Sequence, residues 1–364
     1  MACTPTCSVT SGVRSTDGIL STVAAVRILG EMATRAIFPS APARAGMYES
    51  FYLRAVAPDR PLGAWIRHTV HKPPARAPRG SVWCTVFDAA RGAPFMHKLT
   101  TDDVREPNDA WIAIGDPQGE GASIAADAAR GACGGASWTL GLAGEEPELR
   151  HLPASWLYRA LLPRTKLTSP LPAARFGGTL AVPAREELEL RDWRGMVGHN
   201  WGSEHAERWI WLHGIDFAEE RDAWLDLALG RVLLAGRMTP WVANGALSLG
   251  GRRVRLGGLR GRVRRVDESP SGCELALGGE DGLQLEVSVS VPPGTAAGWR
   301  YADPHGGAGH DVVNCSIAAI SISVSLAGRA ATSARTLQSA HGGAYELGMR
   351  ERDHGVPLAP FEDD

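Results

Sequence analysis

The segment Ile320-Ser-Ile322-Ser-Val324-Ser-Leu326 alternates apolar and polar residues without a break. Such a run fits a strand with one buried face, because successive side chains of a strand point to opposite sides. Leu283–Val291 repeats the pattern. Cys273–Leu277 precedes it across Gly278-Gly-Glu-Asp-Gly282, which reads as a hairpin loop. Ala246–Leu249 and Val254–Leu256 flank Gly250-Gly251, and Ile210–Phe217 and Ala223–Leu229 flank the turn 218–222. With a further strand near 342–351, the second half holds about eight antiparallel strands in meander order. The first half carries weaker versions at 47–54, 63–71, 81–88, 94–100, 109–114, 121–127, 136–142 and 176–182. The chain's 43 Gly and 24 Pro punctuate these runs. A Pro-rich connector, Leu152–Pro172, contains Trp156 and Tyr158 and is expected to pack on a barrel. The expected fold is all-β, two antiparallel barrels packed side by side. A pair of β-sandwiches is the rival, since strand counting does not separate closure from stacking.

Three segments follow: a tail over 1–45, a first barrel with the connector over 46–185, and a second barrel over 186–355. The tail is rich in Ser, Thr, Ala and Arg, and Ile19, Leu20, Val23, Val26 and Leu29 have helical spacing. It reads either as a loose tail or as a helix that serves for targeting or makes a peripheral membrane contact. No apolar run approaches the roughly 20 residues that span a bilayer. Charged residues are 21% and the formal net charge is −2, so bulk charge gives no reason to expect nucleic acid as a partner. The basic run Arg252–Arg265 lacks interleaved aromatics and reads as a solvated hairpin face. Cys3, Cys7, Cys84, Cys133, Cys273 and Cys315 are scattered, which fits free thiols in a reducing cytoplasm.

The densest chemistry lies in 195–213. That stretch holds Trp201, Trp209 and Trp211 with His199, His205 and His213, and it also holds Glu204 and Glu207. Period two puts Trp209, Trp211 and His213 on one face of a strand. Gly195–Gly202 followed by Trp209-Ile-Trp211 resembles the signature of the carotenoid 1,2-hydratase and tocopherol-cyclase-like group. Gly177-Gly-Thr-Leu180 and Leu188–Arg194 are also similar to that group. The resemblance implies two lipocalin-like barrels, with the motif on the second, and a hydratase or cyclase acting without cofactor on an isoprenoid or other hydrophobic small molecule. In that group an acid precedes the basic residue of the motif; this chain has Gly198 before His199.

Such chemistry needs a carboxyl kept neutral by burial and aromatic faces that stabilise a cation. Glu204, the nearest acid after the motif, is the expected replacement donor, with Glu49 second and His199 as a further candidate. Asn200, Trp201, Trp209, Trp211 and His213 are expected to line the ligand pocket. Trp65 and Arg67, which share a face, are expected to join them, with Glu49 paired to Arg67 or facing ligand. The loop Asp303-Pro-His305-Gly-Gly-Ala-Gly-His310 reads as a barrel-mouth loop, with His305 or His310 near ligand. No tight two-His helical spacing occurs, so neither a metal centre nor a cofactor is expected. The alternative to an enzyme is a non-catalytic binding protein for a hydrophobic small molecule.

Overall fold

A computed structural model describes Met1 and residues 34–258, 261–326 and 334–361. The amphipathic stretch 19–29, Cys3 and Cys7 lie outside the described residues. The described residues form strands and a few 3-10 turns. The first sheet runs, in spatial order, Gly92–Thr101, Arg79–Asp88, Leu62–Lys72, Met47–Val56, Leu188–Gly202, Thr165–Ala181, Ala136–Ala143, Ala128–Cys133, Gly121–Ile124, Ile112–Gly115 and Val104–Arg105. The second runs Arg252–Gly257, Val242–Leu249, Trp224–Arg231, Arg208–Gly214, Arg335–Met349, His310–Leu326, Leu283–Ser290, Gly272–Gly278 and Val263–Ser269. A bridge between Leu256 and Gly279 brings the ends of the second sheet together. Each sheet curls into a nearly closed antiparallel barrel, and the fold is lipocalin-like in both halves.

The strand Leu188–Gly202 pairs with Met47–Val56 and Thr165–Ala181, both in the first sheet. The change of sheet therefore falls between Gly202 and Arg208, later than the 185/186 boundary expected from sequence. His199, Asn200 and Trp201 accordingly sit on the first barrel and not on the second. The tail, too, ends earlier than expected. Ala36 and Phe38 are buried in the first core, at 4% and 8% exposure.

Alternation decides what each strand offers to each side. Phe51, Leu53, Ile66, Val82 and Val197 fill the first barrel. Ile210, Leu212, Leu225, Leu227 and Leu347 fill the second. The opposite faces of these strands meet in a seam between the barrels. There Tyr52, Met196, Trp211 and Ala344 form a separate small apolar cluster. Gly198 also faces the seam. A Cβ at Gly198 would lie 2.2 Å from Cζ of Tyr52. The ring of Tyr52 thus fills the space into which a side chain at this position would extend.

Arg54, fully buried, pins the barrels together. It leaves the first sheet and donates through Nη1 to His213 Nδ1 (2.8 Å) and the Gly342 carbonyl (3.0 Å), and through Nη2 to the Ser316 carbonyl (2.8 Å). Ser316 lies where the ladder between His310–Leu326 and Arg335–Met349 shifts register, so its carbonyl is open to an outside donor. His213 Nε2 donates to the Pro172 carbonyl at 2.9 Å, which leaves Nδ1 as the acceptor for Arg54. Burial, and then the Arg54 charge, push His213 down to about 4. Cys84, Cys133, Cys273 and Cys315 are buried free thiols. No helix among the described residues is long and apolar enough to cross a membrane.

Candidate functional site

The expected face of Trp209, Trp211 and His213 forms and looks into the seam. Each indole N–H ends on a carboxylate. Trp209 Nε1 donates to Glu346 Oε1 (2.9 Å), and Trp211 Nε1 donates to Asp226 Oδ1 (3.1 Å). Glu346 is half-buried and also accepts from the Tyr301 hydroxyl and Asn314 Nδ2, each at 3.2 Å. Asp226 is fully buried and accepts from Ser169 Oγ (2.5 Å), with His151 Nε2 at 3.2 Å. Burial pushes the Asp226 carboxyl up, but His151, His213 and Ser169 outweigh it, and the net shift is downward. Asp226 is therefore held as a carboxylate that favours positive charge nearby.

One end of the seam opens into a cavity of about 20 Å³, lined by Tyr48, Arg67, Trp83, Lys98, His205 and Tyr301, among others. That volume suits about one water molecule. Arg67 stacks its guanidinium 4.0 Å above Tyr301 and donates to Ser50 Oγ. Lys98 Nζ lies 4.3 Å over Trp83. His205 stacks on Tyr48 at 3.9 Å and on Trp209 at 5.4 Å. Its Nδ1 donates to Asp303 Oδ1 at 2.8 Å, which leaves Nε2 buried with no hydrogen-bond partner. Burial raises the Asp303 carboxyl, but the hydrogen bonds it accepts from His205 outweigh it and bring it down to about 2. Burial pushes the Tyr48 and Tyr301 phenols up, so both are neutral donors.

The sequence-predicted residues divide. Trp209 does not itself line the cavity but stacks on His205 and Tyr301, which do, and Trp211 and His213 continue along the seam. Trp65 and Arg67 share the outer face of the first barrel, with Arg67 6.0 Å over the Trp65 ring. Glu49 and Arg67 do not pair, because period two sends them to opposite faces. Glu49 points into the first barrel and accepts backbone N–H groups from Ile37 (2.8 Å) and Phe38 (2.8 Å) and Nε2 of His199 (2.7 Å). Phe51 and Trp201 stack on His199 at 3.9 and 4.6 Å. This set closes the first barrel around the turn Phe38–Ser40 and does not border the cavity. Asn200 lies on the other face of its strand and does not border it either. Glu204 forms an ion pair with Arg164 at the surface, with 35% of its side chain exposed, which does not suit a neutral acid beside indoles. A larger hollow of about 550 Å³, lined by Arg262, Arg264, Glu280 and Asp281 among others, opens on the second barrel's hairpins. It holds none of the seam's aromatic residues.

Sequence reasoning missed Asp226, Glu346, Tyr48 and Tyr301. Two of these carried a signal: Asp226 and Glu346 are single acids inside the apolar runs Trp224–Leu229 and Ala344–Met349. Asp303 lies on the Gly-rich loop expected at a barrel mouth, and His310, at the end of that segment, opens the strand His310–Leu326. No metal centre was expected, yet His205, Asp303 and His310 come together, with one donor atom from each within 4.8 Å of the others.

No family model matches the chain. Over 171 residues it is 28% identical to an uncharacterized protein of Mycobacterium tuberculosis, matched in strains CDC 1551 / Oshkosh and ATCC 25618 / H37Rv. The match covers 46% of this chain, and the chain spans about half (49%) of the length of these curated relatives. Among solved structures, CghA superposes with a TM-score of 0.55 at 13% identity, over 85% of this chain and 89% of that one. Kievitone hydratase from Nectria haematococca gives 0.51 at 10% identity, over 89% and 94%. An AttH-like protein of Nitrosomonas europaea gives 0.51 at 14% identity, over 88% and 98%. These likenesses establish the shared two-barrel fold.

Proposed function

We propose that the seam is the working site of a hydratase- or cyclase-type enzyme that acts on a hydrophobic small molecule, an isoprenoid being one class that fits, and needs no organic cofactor. The observation that carries this reading is the pair of indoles on one strand, each held by a carboxylate, in a buried seam between two barrels. Indole faces and fixed carboxylates both favour a cation that forms in a dry site. His205, oriented by Asp303, offers Nε2 for proton transfer. Arg67 and Lys98 suit an oxygen that gains negative charge. A cytoplasmic setting belongs to the same proposal and is supported by the buried free thiols. The hydratase named among the structural neighbours supports the reaction class only through the fold.

The binding-protein reading has one observation in its favour. Asp226 is held below its ordinary range, whereas a carboxyl acid for alkene protonation needs the opposite shift. The experiment offers prenylated phenols and linear polyenes to the purified chain and follows mass by chromatography. Gain of one water marks hydration, and a new retention time at unchanged mass marks cyclisation. His205→Gln and Glu346→Gln should cut turnover by on the order of a hundredfold or more, with binding retained. Binding without product from the wild type supports the binding protein instead. Neither binding nor product overturns both readings.

A further inference from the structure

His310 is fully buried, and neither of its imidazole nitrogens has a hydrogen-bond partner among the described residues. Buried polar groups are ordinarily satisfied, so this orphan calls for an account. Its Nδ1 lies 3.6 Å from Asp303 Oδ2, beyond hydrogen-bond reach. Asp303 Oδ1 meanwhile holds His205 Nδ1 at 2.8 Å. Two imidazoles thus flank the two oxygens of one carboxylate. Donors around a tetrahedral zinc ion at 2.0–2.2 Å stand roughly 3.3 Å apart, between the two separations seen here.

We propose that His205, Asp303 and His310 form a three-ligand site for a divalent transition-metal ion of the zinc class. Two imidazoles and one carboxylate are donors that suit zinc, copper or nickel better than magnesium or calcium. Burial keeps both imidazoles neutral, the form that ligates; Arg350 and Arg352 add to this at His310. Arg350 passes 3.8 Å from Asp303, but its guanidinium is engaged by Glu207 at 3.2 and 3.3 Å. The ring of His205 stacks on Tyr48 and Trp209. An ion on its Nδ1 would therefore stand directly behind the cavity wall, with Nε2 still free on the ring's other edge. This inference concerns Nδ1 and does not depend on turnover.

The test uses the full chain after chelator treatment and dialysis, titrated with zinc chloride in a calorimeter. One ion per chain is expected. His310→Gln and Asp303→Asn should each weaken binding by more than the roughly 10–100-fold lost when a ligand's outer-shell partner is removed. His341→Gln, outside the cluster, should bind as the wild type does. Cobalt chloride gives a second readout that needs no variant: intense visible bands mark a four- or five-coordinate site, and faint ones mark the hydrated ion. A folded wild type that takes up no stoichiometric zinc overturns the proposal. So does wild-type affinity in His310→Gln and Asp303→Asn, or a cobalt spectrum that stays that of the hydrated ion.

Discussion

Gly198 gives the sharpest test of the seam, because an added methyl group there has one obstacle. A Cβ would stand 2.2 Å from Tyr52 Cζ, 2.4 Å from its hydroxyl oxygen and 2.6 Å from Cε2. Carbon atoms in ordinary contact stay about 3.5–4.0 Å apart, so the ring must retreat by more than about 1 Å. It has little room to do so: Tyr52 is 6% exposed and meets Trp211 edge-on at 5.4 Å. Gly198→Ala should therefore lose about 1–3 kcal/mol, the usual range for overpacking a filled site. Tyr52→Leu removes every atom of the clash, since leucine ends before the ring's far edge. Urea unfolding followed by tryptophan fluorescence, on both single variants and the double variant, completes a mutant cycle. The double variant should be more stable than the sum of the single losses implies, by at least about 1 kcal/mol. Strict additivity, or a Gly198→Ala protein as stable as wild type, would refute the placement of Tyr52. If the placement holds, Gly198→Asp cannot restore the acid of the resembled group unless Tyr52 is shortened as well.

Arg54→Met should cost about 3–5 kcal/mol in the same urea assay, because His213 Nδ1 and two carbonyls lose a buried charged donor; a loss below about 1 kcal/mol would contradict the pin. His68 and His213, each pushed down to about 4 chiefly by burial, are neutral in the folded chain and take up protons on unfolding below about pH 6.5. Their stabilisation is complete above that pH and is lost as pH falls toward about 4, at up to about 3 kcal/mol each. A urea midpoint that stays flat from pH 7 to 4.5 would contradict both assignments, and His68→Leu should remove its own share of the slope. Glu204→Gln touches a largely exposed ion pair and should change stability by less than about 1 kcal/mol, with turnover retained; abolished turnover would return Glu204 to the catalytic role that its sequence position suggested.

Much of the fold was legible because alternation reports burial directly. The run at 320–326 falls within the strand His310–Leu326, the run at 283–291 coincides with Leu283–Ser290 except for its last residue, and Trp209 and Trp211 share a face as spacing demands. Alternation says which side a residue takes but not which strand lies beside it. For that reason sequence alone puts Leu188–Gly202 in the second barrel, where the pairing puts it in the first, and leaves Glu49 free to pair with Arg67 or face ligand, where the strands turn the two apart. The carboxylates of the seam were hidden for another reason. Glu346 meets Trp209 across 137 residues, and Asp303 meets His205 across 98, so no local window contains either pair.

The Arg54 pin bears on how such a chain can be divided and recombined. The carbonyls of Ser316 and Gly342 belong to the second sheet, yet a guanidinium from the first sheet satisfies them. Expressed alone, the second barrel would carry these acceptors, and His213 Nδ1, with their designed donor gone. The two halves are then not interchangeable cassettes. A chimera that joins either barrel to a foreign partner inherits an unfilled socket or an unhoused cation, so exchange between relatives would have to move the arginine and its three acceptors together.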